Sequence, residues 1–401
     1  MRILFIKQLF DPEPTAKSLD FAIELKKRGH EIQVLTGFPS YPLGRIYDGY
    51  KQRLWLKEEM NGIEIIRVPI YPNHTKSGFK RSIYYMSYAL SASLIGLFLI
   101  KKPDVAFVYQ GAIPVAVPAI LLKWFKKVPF VYDINDLWPE TVEDSGMVKN
   151  KRILSLINSW ANFNYRKARS ITVLSPGFKE RLIGKGVPED KITFVNNWNR
   201  DIISGHTFEN YIIFPKDKLN ILYAGTLGPM QSLVTVLLAA EKLQSSKKFN
   251  FVFIGTGNDE NNLKKITKHK NLDNVTFLPR VSKEKISNYI NAADVLLIHL
   301  KKTSLFEITI PSKIFSYMLH AKPVLMGLLG DSAEIITKSK CGILFDPENV
   351  ASLVDAINRI GKLTMKERNE MGIRGKEYYN EQFSIEKATD KMEEVFKQSI
   401  N

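Results

Sequence analysis

The sequence predicts an α/β protein built from two doubly wound, mostly parallel-sheet domains in tandem. Three observations predict it. At 401 residues the chain is too long for one ordinary core, so two domains of roughly 200 residues are the default. Short apolar runs alternate with helix-length amphipathic stretches along its whole length, the pattern of strands joined by right-handed crossovers. The alternation weakens once, at 201–217, which reads as a linker. The expected division is therefore a first domain over 1–200, a second over 218–375, and a helical tail over 376–401 that returns to the first domain.

Taken in order, "RILFI" is the first strand. "AKSLDFAIELKKRGH" is the first helix, stopped by Gly29. "EIQVLTG", "GIEIIRVPI", "DVAFVYQ", "PFVYDI", "SITVLS" and "KITFVNN" continue the first sheet. "LNILYAGT", "NFVFIGTG", "NVTFLPR", "DVLLIHL", "KPVLMG" and "CGILFDP" make the second. Between strands of the first sheet lies Ser82–Ile100, 19 uncharged residues between Arg81 and Lys101. That is nearly a membrane span. Its serines, and its place where a crossover helix is required, predict a buried or membrane-surface helix instead.

Bulk composition excludes several classes. Hydrophobic content of 45% with 24% charged residues is globular. A single cysteine, Cys341, rules out a disulfide framework and any cysteine-based metal cluster, and fits a reducing cytosol. The short apolar run before Lys7 reads as a strand, not a signal peptide. Net charge is +16, concentrated at the front. Residues 1–200 hold 30 Lys and Arg against 18 Asp and Glu. A basic half fits an anionic partner such as lipid headgroups or a diphosphate. No nucleic-acid motif accompanies it.

In doubly wound sheets ligands sit beyond the carboxyl ends of the strands, and two such domains are expected to face each other across a cleft. "YAGTLGPMQSL" follows a strand there, and Gly225 and Gly228 let the backbone approach an anion closely. "FIGTGNDENNL" is similar, but Glu260 replaces the third glycine of a nicotinamide fingerprint. In "FEITIPSKIFSYM", Glu307 and Lys313 are six residues apart around a helix start, suited to a sugar hydroxyl and a phosphate. Arg280, after its strand, is a second phosphate cation. In "VYDINDLWPET", Asp133 and Asp136 could grip or deprotonate a hydroxyl, or chelate a cation. The histidines show no ligand-like clustering.

With those residues in view, the chain resembles the family 4 glycosyltransferases, which share the two-domain GT-B fold. The likeness runs over essentially the whole chain, in "KRGHEIQVLTGFPSYPLGRIYDGY", "DINDLWPET", "NNW", "YAGTLGPMQS", "IPSKIFSYM" and "CGILFDPENVASLVDAI". Within the family it is most similar to the bacterial O-antigen and capsule subgroup that includes L-fucosamine (N-acetylfucosamine) transferases. The resemblance implies a UDP-sugar donor held by the second domain, on Gly225, Thr226, Leu227, Gly228, Gln231, Arg280, Val281, Glu307, Ser312, Lys313 and Ser316. It implies a lipid-linked saccharide acceptor held by the first, at Glu13, Pro14, Thr15, Asn135, Trp138 and Glu140. Asp133, Asp136, Arg280 and Lys313 are the implied catalytic groups. It further implies retention at the anomeric carbon, no cofactor and no required metal, and work at the cytoplasmic membrane face beside other polysaccharide-assembly enzymes. The sequence departs from the family pattern in three ways. Thr226 and Gln231 stand where many relatives carry Arg and Lys, Ser316 replaces a ribose-binding glutamate, and Asn135 replaces a histidine. A nucleotide-sugar epimerase of the same fold and a catalytically decayed binding subunit are the alternative readings.

Overall fold

The structure, a computed structural model, describes residues 1–75, 77–144, 148, 150–199 and 214–400. It divides into two compact units, Met1–Trp198 with Ile385–Asn401, and Asn199–Ser384. Most of the expected linker, 201–213, lies outside the described residues.

The first unit is built on an eight-stranded sheet in the order β3-β4-β2-β1-β5-β6-β7-β8. Its strands are β1 (Arg2–Ile6), β2 (Glu31–Gly37), β3 (Leu56–Met60), β4 (Ile63–Val68), β5 (Val105–Gln110), β6 (Phe130–Ile134), β7 (Ser170–Val173) and β8 (Ile192–Phe194). All neighbours are parallel except β3, which pairs antiparallel with β4. The central strands are buried on both faces, and their unbroken runs of Ile, Leu, Phe and Val follow from that. The sequence reading missed β3. Its "LKEEM" alternates half-buried and exposed residues at the sheet edge, too polar to register as a strand.

The second unit carries a six-stranded, fully parallel sheet in the order β11-β10-β9-β12-β13-β14. Its strands are β9 (Leu219–Ala224), β10 (Phe249–Ile254), β11 (Val275–Leu278), β12 (Val295–His299), β13 (Val324–Gly327) and β14 (Gly342–Leu344). The chain winds outward from β9 to β11, then returns to the other side of β9 with β12. The switch point of this sheet therefore lies between β9 and β12.

Two expectations about helices are corrected. The tail is two helices. Met365–Gln382 stays in the second unit, where Gly372 and Gly375 press on the Ala321 backbone and on Cys341. The return to the first unit begins at Ile385, with Ile385–Ile400, whose Met392, Val395 and Phe396 are buried among Phe5, Phe21 and Phe107. Residues 376–384 thus belong to the second unit. Arg28 ties the returning helix down, donating to Asp390 at 2.6 Å and Glu393 at 2.8 Å.

The apolar stretch is a helix, Gly78–Leu99, with a π-helical turn at Ala92–Gly96. By length and composition it could cross a membrane. It connects β4 to β5, strands of one sheet, so both of its ends return to the same layer. Tyr88 is buried and donates to the Leu35 carbonyl, and a Cβ on Gly96 would sit 2.5 Å from Leu35. Its other face is apolar and exposed: Phe79, Leu90, Leu94 and Phe98.

At the carboxyl end of β6 lies a buried ion pair. Lys17, in the left-handed region at φ +45°, places its Nζ 2.6 Å from Asp133 Oδ1, and both side chains are fully buried. Thr172 Oγ1 donates to the same oxygen at 2.6 Å, and Asn135 Nδ2 donates to Oδ2 at 3.0 Å. Burying two charges is repaid only when each is hydrogen-bonded, and removing one partner leaves the other uncompensated. Asp133→Leu is expected to cost about 3–5 kcal/mol, read by urea unfolding of the full chain. The double change Lys17→Met with Asp133→Leu should cost less than Asp133→Leu alone. Equal or greater loss in the double variant would overturn this account.

Candidate functional site

Each unit carries its own constellation. In the second, the loops after β9 and β12 flank the switch point. β9 ends at Ala224, and Gly225 follows at φ +145°, a conformation that favours glycine. A Cβ there would fall 2.4 Å from the Lys313 ammonium. Glycine thus makes room for a lysine against bare backbone. The two neighbouring glycines serve the same packing: a Cβ on Gly255 would meet the Gly225 carbonyl at 1.8 Å, and one on Gly257 the Leu227 carbonyl at 2.1 Å.

Lys313 begins the helix Lys313–Leu319. Its Nζ donates to the Tyr223 hydroxyl at 2.8 Å and lies 3.9 Å from the centre of that ring. Tyr223 in turn donates to the Thr226 carbonyl at 2.7 Å, so lysine and loop are locked together. Among the described residues no carboxylate pairs with Lys313. Burial pulls its pKa down from the ordinary 10.5 to about 7. The ammonium is thus desolvated and has a hydroxyl and a ring for company, but no anion.

The remaining donor-side residues divide. Arg280 stands exposed just past β11, with no partner among the described residues, and Val281 follows it. β11 is two strands from β9, so the two strand ends are about 10 Å apart on the same edge. Glu307 is half-buried and its carboxylate makes no hydrogen bond or ion pair among the described residues. Ser312 is exposed and directly precedes Lys313, and Ser316 lies one turn further on. Thr226 is exposed and Gly228 buried in the loop itself.

Two expected donor contacts are corrected. The Leu227 side chain is buried in the apolar core, so it offers a ligand only its backbone. Gln231 turns inward: its Oε1 accepts from Gly228 N at 3.1 Å and its carbonyl accepts from His299 Nδ1 at 2.9 Å. It shapes the loop and does not stand in for a phosphate cation. His299 Nε2 accepts from the Glu348 amide at 2.9 Å, so the proton must sit on Nδ1. Burial lowers the pKa of this histidine and keeps it neutral.

In the first unit, a cavity of about 320 Å³ opens at the carboxyl ends of β1, β5 and β6. Pro14, Thr15, Asn135 and Asp136 line it as expected from the sequence, together with Arg81, Tyr85 and Gln110. Gln110 Oε1 accepts from the amides of Asn135 and Asp136 at 3.1 and 3.3 Å and so sets the loop. Burial raises the Asp136 pKa above the ordinary carboxylate range, while the Arg81 charge opposes the shift.

Four first-unit expectations are corrected. Asp133 is fully buried in its ion pair with Lys17 and does not reach the cavity. That leaves Asp136 as the carboxylate facing a ligand. Glu13 is also buried; it accepts from the amides of Phe10, Ser40 and Tyr41 and staples two loops. Glu140 is bound to Lys185 at 2.8 Å. Trp138 lines a separate, apolar groove. No group of three or more His, Cys, Asp or Glu side chains among the described residues could hold a metal.

The sequence reading did not find Lys17, Tyr223, Arg81 or His299. Lys17 lies 116 residues from Asp133, and nothing local to either signals the pair. Tyr223 lies one residue before the end of its strand and reads as core. The glycine after it was the available clue, since a glycine that must stay small names a neighbour that needs the space.

Comparison with known proteins agrees with this geometry. Residues 15–198 match the model of the glycosyl transferase 4-like domain, and residues 208–378 that of the glycosyl transferases group 1. The chain is 25% identical to "Putative colanic acid biosynthesis glycosyl transferase WcaI" of Escherichia coli K12, over 100% of this chain and 99% of that one. Among solved structures it superposes on Anabaena Alr3699/HepE in complex with UDP (TM-score 0.68, 14% identity, 99% and 100% of the two chains covered). It also superposes on an α,α-trehalose-phosphate synthase from Burkholderia vietnamiensis (TM-score 0.71, 10% identity, 99% of each chain). With one domain model on each unit and a relative aligned end to end, the chain belongs to the family 4-type glycosyltransferases and has the GT-B fold.

Proposed function

We propose that the chain transfers an N-acetylated deoxyhexosamine, with N-acetyl-L-fucosamine as the first choice, from a UDP-sugar to a polyprenyl-diphosphate-linked saccharide in capsule or O-antigen assembly. The single observation that carries the donor half is Lys313, an ammonium desolvated beside Gly225 at the switch point with no anion of its own. A nucleoside diphosphate supplies that anion. HepE, solved with UDP and with UDP-glucose, and WcaI, named for colanic acid biosynthesis, support the same substrate classes.

The chemistry follows from the charges. As the bond from the anomeric carbon to the β-phosphate oxygen breaks, negative charge grows on the leaving diphosphate. Lys313 and Arg280 neutralise it in place of a metal ion, because fixed cations in a low-dielectric site act on developing charge without reorganising. Glu307 accepts hydrogen bonds from sugar hydroxyls. The departing phosphate takes the acceptor's proton on the face it leaves, which gives retention. Asp136 holds the acceptor hydroxyl and orients it.

The enzyme works at the cytoplasmic membrane face. In the same unit Lys126 Nζ donates to the Leu97 carbonyl at 3.2 Å, so the helix Val117–Lys126, with its exposed Trp124 and Phe125 and with Lys123 and Lys127 beside them in sequence, meets the C-terminal end of Gly78–Leu99, whose Phe79, Leu90, Leu94 and Phe98 are exposed. Apolar side chains interleaved with lysine favour an anionic bilayer surface. The purified chain should co-sediment with anionic vesicles at low salt and not with neutral ones.

A panel of UDP-sugars, read as released UDP in the presence of lipid-linked acceptor, tests the reading. Lys313→Ala and Arg280→Ala should each lose about 2–4 kcal/mol of transition-state stabilisation, a drop of roughly thirty- to a thousandfold in kcat/KM. Unchanged turnover in both variants would refute the donor site. An epimer formed from donor alone would refute the transfer.

The lowered pKa of Lys313 gives a pH signature. Below about 7 the lysine is protonated in both folded and unfolded chains; between about 7 and 10.5 the unfolded chain binds more protons. Stability without ligand therefore rises with pH across that window, by at most about 1.4 kcal/mol per unit. A diphosphate holds the proton on, so UDP affinity should fall with rising pH above 7, up to about tenfold per unit. Lys313→Met should abolish both slopes, in calorimetric titrations and in denaturation. Asp136→Asn should lower turnover far more than Glu143→Gln, since Glu143 is exposed on the short helix Glu140–Asp144.

A further inference from the structure

Beside the cavity of the first unit runs a second, smaller one of about 150 Å³ with a different character. Met86, Ile113, Trp138, Val142, Ile157 and Trp160 make its walls. They come from four separate elements, of which the short 3-10 turn Ile113–Ala116 after β5 supplies Ile113. Met86 is on Gly78–Leu99, Trp138 and Val142 are in and after the "DLWPET" loop, and Ile157 and Trp160 are on the helix Lys151–Lys167. Two of the chain's five tryptophans line this groove, and among its lining side chains only Arg81, Ser82, Tyr85 and the tryptophans carry polar atoms.

Its position explains it. Arg81 and Tyr85 line both the groove and the polar cavity that holds Asp136, so the two spaces meet at these side chains. The Arg81 Nη2 donates to the Tyr85 hydroxyl at 3.0 Å, which fixes the guanidinium at the junction. A ligand lying across the junction meets hydrogen-bonding groups on one side, a cation in the middle and apolar walls on the other. That order matches a saccharide, a diphosphate and a hydrocarbon chain. Guanidinium is the side chain best shaped for phosphate oxygens. Branched and aromatic walls favour a chain that carries methyl branches at short intervals.

We infer that this groove holds the first isoprene units of the lipid acceptor, with its diphosphate at Arg81 and its sugar beside Asp136. The inference rests on the glycosyltransferase reading and adds where the lipid goes. The acceptor is then recognised by three chemically distinct parts. The saccharide alone should be a poor acceptor, because removing the tail forfeits burial of apolar surface that the protein supplies ready-made.

The test uses geranyl diphosphate, which carries two isoprene units and no sugar, against inorganic diphosphate. Both are titrated into the full chain, with UDP present to occupy the donor site, and followed by calorimetry and tryptophan fluorescence. Geranyl diphosphate should bind at least tenfold tighter than diphosphate and change the fluorescence, and farnesyl diphosphate should gain little more. Ile157→Asp should remove the geranyl advantage and leave both diphosphate and UDP affinity unchanged. Arg81→Gln should weaken geranyl diphosphate and diphosphate together. Equal affinity of the unaltered chain for geranyl diphosphate and diphosphate would overturn the inference, whatever the variants do. So would a full geranyl advantage in Ile157→Asp. Decyl phosphate binding as tightly as geranyl diphosphate would assign the groove to an ordinary lipid and overturn the isoprenoid assignment. UDP binding is scored separately: its failure, with the geranyl advantage intact, would remove the transferase reading and leave the groove standing.

Discussion

A lysine taken out of water must be given an anion or must surrender its proton, and both units are arranged around that constraint. In the first, Lys17 is given Asp133. The pair stitches the loop after β1 to the end of β6, and Thr172 on β7 joins it. Three strand ends are thereby held in register by one charge. In the second unit Lys313 is given only a tyrosine hydroxyl and a ring face. The first lysine is complete within the fold. The second has no anion among the described residues.

This difference separates structure from chemistry at two places that look alike in sequence. Asp133 and Asp136 are three residues apart and carry the same side chain. Strand β6 sends the first into the buried ion pair, and the turn after it leaves the second at the cavity. Gln110 sets that turn by accepting from two consecutive amides. The neighbouring carboxylates Glu13 and Glu140 are likewise engaged, one by backbone amides and one by Lys185. By elimination the cavity presents Asp136 as its acid, with Arg81 as the opposing charge at the far rim.

The first unit also accounts for the basic, apolar character of the front half of the chain. The helix Gly78–Leu99 has two faces with two tasks. Tyr88 and Gly96 seat it on the sheet, whereas Phe79, Leu90, Leu94 and Phe98 stay outside. Arg81 and Tyr85, near its start, face the two cavities. One element thus reaches the sheet, the exposed apolar patch and the junction of the two cavities.

Much of this was legible in the sequence. Among the described residues thirteen apolar runs match thirteen of the fourteen strands, because a parallel sheet covered on both faces requires continuous apolar stretches, and the polar edge strand Leu56–Met60 is the one that escaped. Gly225 and Lys313 were both read from the sequence as donor-side residues, because ligands bind at loops after parallel strands, and the structure places them side by side. The sequence alone could not distinguish Asp133 from Asp136, or recognise Leu227, Gln231 and Glu13 as internal. Nor could it place the second domain's end at Ser384 instead of residue 375. Those outcomes depend on which long-range partner reaches a side chain first: Lys17 across 116 residues, His299 across 68, and the Ser40 amide across 27. Local pattern fixes which way a strand faces. Only the closed tertiary fold decides which charges are satisfied inside it and which are left for a ligand.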